Sequence, residues 1–312
     1  MSTMRAISQD RLGGPDVLHE VTLPKPTPGP TEVLVRVHAA GVNPVDAKTR
    51  TAGGLLGTPP FVLGWDVSGV VEEVGFGVTL FAPGDEVVGM PVFPRQAGAY
   101  AEYVVAPSRH FVHKPAALDH PHGAALPLVG LTAWQSLVET ADVRPGQRVL
   151  VHAAAGGVGH VAVQIAKARG AHVIATASAP KHDFVRSLGA DEVVDYTAVD
   201  FAEVVRDVDV AFDTVGGDIG ARSVPTVKPG GLVVTILGSS LDTLNAAAAG
   251  TDVRTAAVLC EPDRHGLLAL AELVEQGSLR TELDTVLPLE QAAKAHELLE
   301  TGRTQGKIVL TT

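Results

Sequence analysis

Two patterns of hydrophobic and polar positions divide the chain. From Met4 to about His122, short runs of alternating apolar and polar residues are separated by proline and glycine. Runs of this kind at close spacing are typical of short strands in a small, barrel-like β unit. The runs fall at residues 32–37, 67–74, 85–88 and 99–105. The proline-rich stretch at residues 23–30 predicts an extended connector, because proline fixes φ and lacks a backbone donor.

Beyond Gly123 the pattern changes to apolar runs that alternate with segments of helical periodicity. This alternation predicts a parallel sheet with helices on both of its faces. Six strands are expected, as in a doubly wound nucleotide-binding sheet. They are predicted at residues 149–153, 173–177, 192–196, 208–214, 231–237 and 254–259, with helices at 161–168 and 180–188 among them.

The end of the chain carries two further elements after the sixth predicted strand. A helical pattern covers residues 290–300, and an apolar run at 307–310 predicts a last strand. We therefore expect the chain to return to the β-rich domain. The fold class predicted is α/β, with a Rossmann-type doubly wound parallel sheet and a β-rich domain. The predicted domains are residues 1–122 completed by 283–312, and residues 123–282.

The segment from Arg148 to Gly159 carries the clearest chemical signal. A strand that enters a helix through a glycine turn brings backbone N–H groups and the positive helix end to a pyrophosphate. Gly156 and Gly159 keep the last two glycines of the dinucleotide fingerprint, and Ala153 takes the place of the first. An ordinary tight turn is the alternative. The strand before, the helix after and the next strand form a whole βαβ unit, which favours a bound dinucleotide.

The end of the second parallel strand indicates which dinucleotide. An NAD-binding strand usually ends in an acidic residue that accepts hydrogen bonds from the ribose 2′-hydroxyl. Here the first acidic residue is Asp183. A carboxylate would repel a 2′-phosphate, whereas Ser178 can donate to one and Lys181 can neutralise it. The alternative, that these two residues only cap and solubilise the next helix, leaves the missing acid unexplained, so the pattern favours NADPH.

Composition excludes several classes of protein. The hydrophobic fraction of 46% is ample for one large or two ordinary domains, yet no apolar run is long enough to span a bilayer. Residues 1–10 lack the apolar core of a signal peptide. Cys260 is the only cysteine, which excludes an intramolecular disulfide. The net charge of −11 argues against a nucleic-acid surface. We expect a soluble, cytoplasmic protein without membrane or nucleic-acid partners.

Six motifs follow one another along the chain. They read GVNPVD at 41–46, GAYAEYVV at 98–105, LPLVGLTAW at 126–134, AAAGGVG at 153–159, FDTVGG at 212–217 and TQGKIVL at 304–310. With these motifs the chain resembles the zinc-free quinone oxidoreductases (the zeta-crystallin-like group) of the medium-chain dehydrogenase/reductase superfamily. The resemblance implies a GroES-like catalytic domain, a Rossmann domain and a cofactor between them. It also implies hydride transfer from NADPH to a quinone or an α,β-unsaturated carbonyl.

The resemblance further implies places for residues around the cofactor. Asn43 and Thr132 would lie by the nicotinamide ribose and amide, Tyr196 near the adenosine and Arg303 at the 2′-phosphate. Alternatively, Tyr196 belongs to the core and Thr132 caps a helix. The full set expected at the cofactor is Asn43, Thr132, Gly156, Gly157, Val158, Gly159, Ser178, Lys181, Tyr196, Val215, Gly216, Leu237, Gly238 and Arg303.

Two departures from other members of the superfamily bear on the chemistry. Zinc-dependent relatives offer a cysteine near the position of Asn43, a Gly-His-Glu triplet and a four-cysteine lobe. This chain has Asn43, then Gly64-Trp65-Asp66, and no such lobe. A tetrahedral zinc site therefore lacks its nitrogen and sulfur ligands, and no metal is expected.

The second departure is Lys48, where many quinone reductases of the group carry a tyrosine. In this respect the chain is closer to the alkenal and enone reductases. An ammonium near the carbonyl oxygen would stabilise the enolate that forms when hydride reaches the β-carbon. Lys48 and Asp46 are therefore the catalytic candidates. The alternative is a surface lysine paired with Asp46.

The leading functional hypothesis is an NADPH-dependent, zinc-independent reductase of quinones or α,β-unsaturated carbonyls. One alternative is a stand-alone enoyl reductase of a biosynthetic pathway. Another is an NADPH-binding sensor or structural protein with little turnover, because fold does not determine function. The resemblance also implies a homodimer, and the sixth strand at residues 254–259 would be an exposed apolar sheet edge without a second copy.

Overall fold

A computed structural model describes residues 2–312 of the chain. The strands are β1 Thr3–Gln9, β2 His19–Pro24, β3 Glu32–Val42, β4 Phe61–Val62, β5 Val67–Val74, β6 Glu86–Gly89, β7 Tyr103–Pro107, β8 Phe111–His113, β9 Arg148–Val151, β10 His172–Thr176, β11 Glu192–Val194, β12 Val208–Asp213, β13 Val227–Thr235, β14 Arg254–Ala257, β15 Leu283–Pro288 and β16 Lys307–Thr311. The α-helices are α1 Pro44–Ala52, α2 His120–Ala124, α3 Pro127–Trp134, α4 Gly157–Ala168, α5 His182–Ser187, α6 Phe201–Val204, α7 Ile219–Ser223, α8 Leu241–Ala248, α9 Arg264–Glu275 and α10 Ala292–Glu300.

Six strands form the parallel sheet that the sequence predicts. Their order is β11-β10-β9-β12-β13-β14, and every neighbouring pair is parallel. Numbered along the sheet's own chain order this is 3-2-1-4-5-6, the doubly wound topology, so the predicted fold class is confirmed. The strand order reverses between β9 and β12. The carboxyl ends of these two strands therefore flank the position where such sheets bind ligands.

The β-rich unit contains two sheets. The larger has the order β15-β16-β3-β5-β6-β8, with β7 also paired to β3. The smaller is the antiparallel set β2-β1-β4. The last strand, β16, pairs with β3 so that Ile308 lies opposite Val42 and Leu310 opposite Ala40. The end of the chain thus completes the sheet that the N-terminal segment begins.

The chain divides into two compact units. One comprises the chain up to Leu128 together with Glu261–Glu275 and Thr281–Thr312, and the other comprises Val129–Cys260 and Gln276–Arg280. These limits differ from those drawn from the sequence at 122/123 and 282/283. Helix α2 packs on β3 and β5, and α9 packs against β8, so both helices belong to the β-rich unit.

Several elements end at other residues than the pattern predicted, for local reasons. The strand predicted at 192–196 ends at Val194, because Asp195 Oδ1 accepts from the backbone N of Thr197 at 2.9 Å and turns the chain. The strand predicted at 99–105 begins only at Tyr103. Tyr100, just before it, crosses between other segments, with its N donating to Leu63 O and its O accepting from Ile7 N.

Other differences lie in the nucleotide-binding half. The helix predicted at 161–168 begins earlier, at Gly157, and the strand predicted at 231–237 begins at Val227. The helix predicted at 180–188 is a 3-10 turn, Ala179–Lys181, followed by α5. In the β-rich unit, β2 extends to Pro24, so the predicted connector is shorter than residues 23–30.

Candidate functional site

The turn between β9 and α4 has the geometry of a dinucleotide-binding loop. Ala153, in the place of the first fingerprint glycine, has φ +47°, a left-handed conformation that costs an L-residue energy. Hydrogen bonds hold it there: Ala153 N donates to Thr176 Oγ1 at 3.2 Å, and Ala154 N donates to Thr176 O at 3.0 Å. Gly156 N donates to Ala153 O at 2.9 Å. Alanine therefore keeps the backbone form that glycine usually supplies.

Gly156 and Gly159 serve different purposes in this turn. A Cβ on Gly159 would lie 2.2 Å from Ala153 O and 2.7 Å from Ala154 Cα. The first turn of α4 can thus pack against the loop only because residue 159 is glycine. A Cβ on Gly156 would meet only Ala153 O, at 3.3 Å. Gly156 is the N-cap of α4 and offers no capping side chain, which leaves the helix N-terminus suited to an anion.

A buried histidine ties this loop to its neighbours. Burial lowers the pKa of His152 to about 4, so the ring is neutral at pH 7. Ser223 Oγ donates to Ile219 O at 2.7 Å and must therefore accept from His152 Nε2, at 2.9 Å. The other ring nitrogen, Nδ1, then accepts from Thr176 Oγ1 at 3.3 Å. These hydrogen bonds determine the tautomer of His152, and they connect the end of β9 with β10 and α7.

The loop after β12 is held by a buried carboxylate. Asp213 Oδ1 accepts from the backbone N of both Val215 and Gly216, each at 2.9 Å. Its Oδ2 accepts from Thr235 Oγ1 at 3.0 Å. Asp213 is fully buried, while the side chain of Val215 is 52% exposed. Val215 and Gly216, which the resemblance places at the cofactor, thus lie on a hydrogen-bonded turn at the carboxyl edge of the sheet.

The other residues expected around the cofactor differ from one another in how far they are buried. Ser178 precedes the 3-10 turn without capping it through its side chain, and Lys181 ends that turn half-buried. Tyr196 is 57% exposed, so its alternative placement in the core is wrong. Thr132 is buried inside α3 and does not begin that helix, so the capping alternative is wrong as well. Arg303 is exposed in the loop between α10 and β16.

In the β-rich unit, Asn43 is the N-cap of α1 and lies in a closed polar cluster. Its Nδ2 donates to Asp66 Oδ2 at 2.8 Å, and its Oδ1 accepts from Lys307 Nζ at 2.5 Å. Lys307 Nζ also donates to Val42 O at 2.9 Å and lies 3.4 Å from Asp66 Oδ2. Burial lowers the pKa of Lys307, and the Asp66 charge opposes that effect. Asp66 Oδ1 accepts from Leu128 N at 2.6 Å.

The two catalytic candidates lie in opposite surroundings on α1. Asp46 is fully buried, and its Oδ2 accepts from Asn43 N at 2.7 Å, which completes the capping box of the helix. Its Oδ1 accepts from Gly64 N at 3.1 Å, and burial raises its pKa to about 7. Lys48 is exposed. No hydrogen bond or ion pair joins Lys48 to Asp46 in residues 2–312, so the pair suggested as an alternative is not formed.

Sequence reasoning missed a second buried network beneath α1. Arg50, 1% exposed, donates from Nη1 to His296 Nδ1 at 3.0 Å and from Nη2 to Glu300 Oε1 at 2.5 Å. A guanidinium only donates, so His296 carries its proton on Nε2 and donates to Tyr100 Oη at 3.2 Å. Burial lowers the pKa of His296 to about 3. The only sequence signal was a histidine on the apolar side of the pattern at 290–300.

The position of the zinc ligands in other relatives is filled differently here. Trp65 is fully buried, and its Nε1 donates to Arg95 O at 2.7 Å. The ammonium of Lys307 lies against Asn43 and Asp66. Across the described residues, no three side chains of the His, Cys, Asp or Glu type come together as a metal-binding group.

None of the helices in residues 2–312 has the length and apolar character needed to cross a membrane.

Comparisons with known proteins agree with this geometry. Residues 29–116 match the family described as the alcohol dehydrogenase GroES-like domain, and residues 188–310 match the family described as zinc-binding dehydrogenase. A 2-haloacrylate reductase of Burkholderia is 35% identical over 96% of each chain. The structure of a quinone oxidoreductase from Coxiella burnetii covers 100% of both chains at 38% identity and a TM-score of 0.95.

The solved structure of a third relative contains bound NADPH. The Escherichia coli quinone oxidoreductase complexed with NADPH is 30% identical, with a TM-score of 0.86 over 99% of this chain and 100% of that one. The β-rich unit is thus a GroES-like domain, and the parallel sheet is a Rossmann-type domain. Together these likenesses confirm the resemblance found in the motifs, and the chain belongs to the quinone oxidoreductase group of the medium-chain dehydrogenase/reductase superfamily.

Proposed function

We propose that this protein is an NADPH-dependent reductase that transfers hydride to a quinone or an α,β-unsaturated carbonyl without zinc. The observation that carries the proposal is the turn between β9 and α4. There α4 packs closely on the loop at Gly159, and its N-cap, Gly156, has no side chain to occupy the helix N-terminus, which is therefore suited to an anion. This turn lies at the switch point of the sheet, where α/β folds bind nucleotides.

The preference for NADPH rests on the end of β10. No carboxylate occurs between Thr176 and His182, and Ser178 makes no side-chain cap to the following turn. Ser178 would donate to the 2′-phosphate and Lys181 would neutralise it. The relative from Escherichia coli was crystallised with NADPH, which supports the same choice. Arg303 is a further candidate for the phosphate, as an exposed cation on a loop.

Bound NADPH would supply the hydride, and the chain's own residues would orient and polarise the acceptor. Lys48, exposed in the middle of α1, is the proposed donor to the carbonyl oxygen. Asp46 would act through the helix, since both of its oxygens are occupied by backbone N–H groups. An ammonium held near the oxygen favours the enolate over the neutral carbonyl.

Zinc independence rests on what replaces the ligands. Lys307 brings a buried cation to Asn43 and Asp66, where a second cation would be repelled.

A homodimer is proposed from the edge position of β14, which pairs with β13 on one side. Leu259, just after this strand, is 59% exposed. Pairing with a second copy would remove the open edge.

Steady-state oxidation of NADPH tests the proposal. The acceptors are 9,10-phenanthrenequinone, a short enal, a 2-haloacrylate and an enoyl thioester, each measured with NADPH and NADH after exhaustive chelation. We expect turnover with NADPH on a quinone or an enone, retained after chelation. Turnover confined to the thioester would favour the biosynthetic enoyl reductase. Tight NADPH binding without turnover on any acceptor would favour the sensor. Loss of activity when chelation removes bound zinc would contradict metal independence.

A further inference from the structure

We propose that Asp213 is a positioning residue, which shapes the cofactor pocket by holding the turn at residues 214–217 against the loop after β13. The inference rests on the proposed function, because the pocket it shapes is the one for NADPH. Asp213 itself touches no cofactor in this proposal. Its carboxylate would act through the backbone of Val215 and Gly216.

The turn lies at the carboxyl edge of the parallel sheet. It follows β12, and the glycine turn at Ala153–Gly159 follows β9. These are the adjacent strands between which the order of the parallel sheet reverses. In such sheets the crevice at the carboxyl ends of these strands receives the ligand. A turn fixed at this place sets the shape of one wall of that crevice.

The Asp213 carboxylate is held by hydrogen bonds. Asp213 is fully buried and accepts three hydrogen bonds, two from backbone N–H groups and one from Thr235 Oγ1. Within the part of the chain that the structure describes, no Lys or Arg forms an ion pair with it. A buried charge without a counter-ion is costly unless hydrogen bonds compensate it. The three donors supply that compensation and fix the turn to β13 as they do so.

Hydrogen bonds also join the rest of the turn to the neighbouring loops. Thr214 Oγ1 donates to His152 O at 2.8 Å, and Gly217 N donates to Ser240 Oγ at 2.9 Å. Gly216 has φ +81°, and a Cβ there would lie 2.8 Å from Leu237 Cγ. Three successive loops at the carboxyl edge, after β9, β12 and β13, are thereby joined into one surface. Among the side chains that hold this turn, Asp213 makes the most hydrogen bonds.

The test compares variants at the two ends of β12. Asp209, near the start of the strand, is also largely buried, accepts from Arg148 N at 2.8 Å and pairs with Lys228. Asp209→Ala therefore removes a buried carboxylate from the same strand, at the edge away from the crevice. Asp213→Ala, Asp213→Asn and Asp209→Ala are compared by NADPH titration, by kcat and KM for both substrates, and by thermal unfolding.

We expect Asp213→Ala to raise the Kd and KM for NADPH by about tenfold or more, as for lost hydrogen bonds to a charged group. Asp213→Asn keeps an acceptor oxygen for both backbone N–H groups and should stay within about threefold of wild type. Asp209→Ala should lower the thermal midpoint but leave the NADPH constants unchanged. If Asp213→Ala does not fold, two other variants test the proposal. Thr235→Val removes the hydrogen bond to Asp213 and the one from Leu237 N, and Ser240→Ala removes the one from Gly217 N. Each should weaken NADPH binding by a few fold.

The outcomes separate the two proposals. A wild-type protein that binds no NADPH overturns the proposed function and this inference with it. A wild type that binds and turns over, with equal losses in the Asp213→Ala and Asp209→Ala variants at matched stability, overturns the positioning role alone. Unchanged NADPH constants in Asp213→Ala, or in both Thr235→Val and Ser240→Ala, do the same.

Discussion

The ammonium of Lys307 lies 2.5 Å from the side-chain oxygen of Asn43, and the two residues are 264 positions apart in the chain. Lys307 begins the last strand, and Asn43 caps α1. The same ammonium lies 3.4 Å from Asp66 Oδ2 and compensates that buried charge. The last strand therefore contributes a cation to the N-terminal site as well as a row of backbone hydrogen bonds.

Removing this cation should destabilise the protein strongly. Lys307→Met leaves the Asp66 carboxylate buried without a counter-charge, which we expect to lower the free energy of unfolding by about 3–5 kcal/mol. The double variant Lys307→Met with Asp66→Asn should recover part of that loss. Chemical denaturation measures both, with Lys294→Met on the exposed face of α10 as the control. A loss no larger than that of the control would show that the buried pair contributes nothing.

The pH dependence of stability should reveal Asp46. Its pKa is raised by burial from the ordinary value of 3.8 to about 7, so between these values the native state holds a proton that the unfolded state has released. The contribution of Asp46 to stability is therefore present below about pH 4 and lost as pH rises to about 7. Asp46→Asn cannot ionise, so its stability relative to wild type should increase from pH 4 to pH 7.

Two buried histidines change stability with pH in the opposite direction to Asp46, and their effect cancels in the difference between variant and wild type. The pKa values of His152 and His296 are lowered to about 4 and about 3. Their contribution is lost as pH falls from about 6.5 through those values, in both proteins alike. Thermal midpoints measured at half-unit intervals from pH 4 to pH 8 give the difference curve. A flat curve would contradict the raised pKa.

The glycine turn gives a matched pair of substitutions. Gly159→Ala would place a Cβ 2.2 Å from Ala153 O, so the helix must shift, and we expect a loss of several kcal/mol in stability together with weaker NADPH binding. Ala153→Gly removes the conformational strain of an alanine with φ +47°, but glycine also raises the conformational entropy of the unfolded chain. It should change stability by no more than about 1 kcal/mol. Equal stability for both variants would refute the steric argument.

Local patterns sufficed for the parallel sheet and for its glycine turn. Each parallel strand is a short apolar run beside a helical segment, and right-handed crossovers restrict the order in which such strands assemble. The cluster around α1 could not be found in this way. Arg50 and His296 are 246 positions apart, and neither lies in a pattern that indicates the other. The sequence made Asp46 a catalytic candidate, but its burial in the capping box of α1 cannot be predicted from neighbouring residues.

Cofactor preference should depend on Lys181. We expect wild type to bind NADPH more tightly than NADH by a few kcal/mol at most, the value of about one or two charge-assisted contacts. Lys181→Ala should reduce that preference, whereas Arg186→Ala on the exposed face of α5 should not. Titration of each variant with both cofactors measures the ratio of Kd values. An unchanged ratio in Lys181→Ala would assign the preference to other residues.

Lys48 offers the most direct test of the chemistry. Lys48→Met keeps the apolar stem of an exposed side chain and removes its charge. If the ammonium donates to the carbonyl oxygen, its removal takes more stabilisation from the enolate than from the neutral substrate. The kcat on an enone should then fall by roughly ten- to a thousandfold. The Kd for NADPH should barely change, and quinones, which accept hydride more readily, should be affected less. The control is again Lys294→Met, with the same chemical change on another helix. Wild-type kcat on every enone would leave Lys48 as an ordinary surface lysine, and the donor would have to be sought elsewhere.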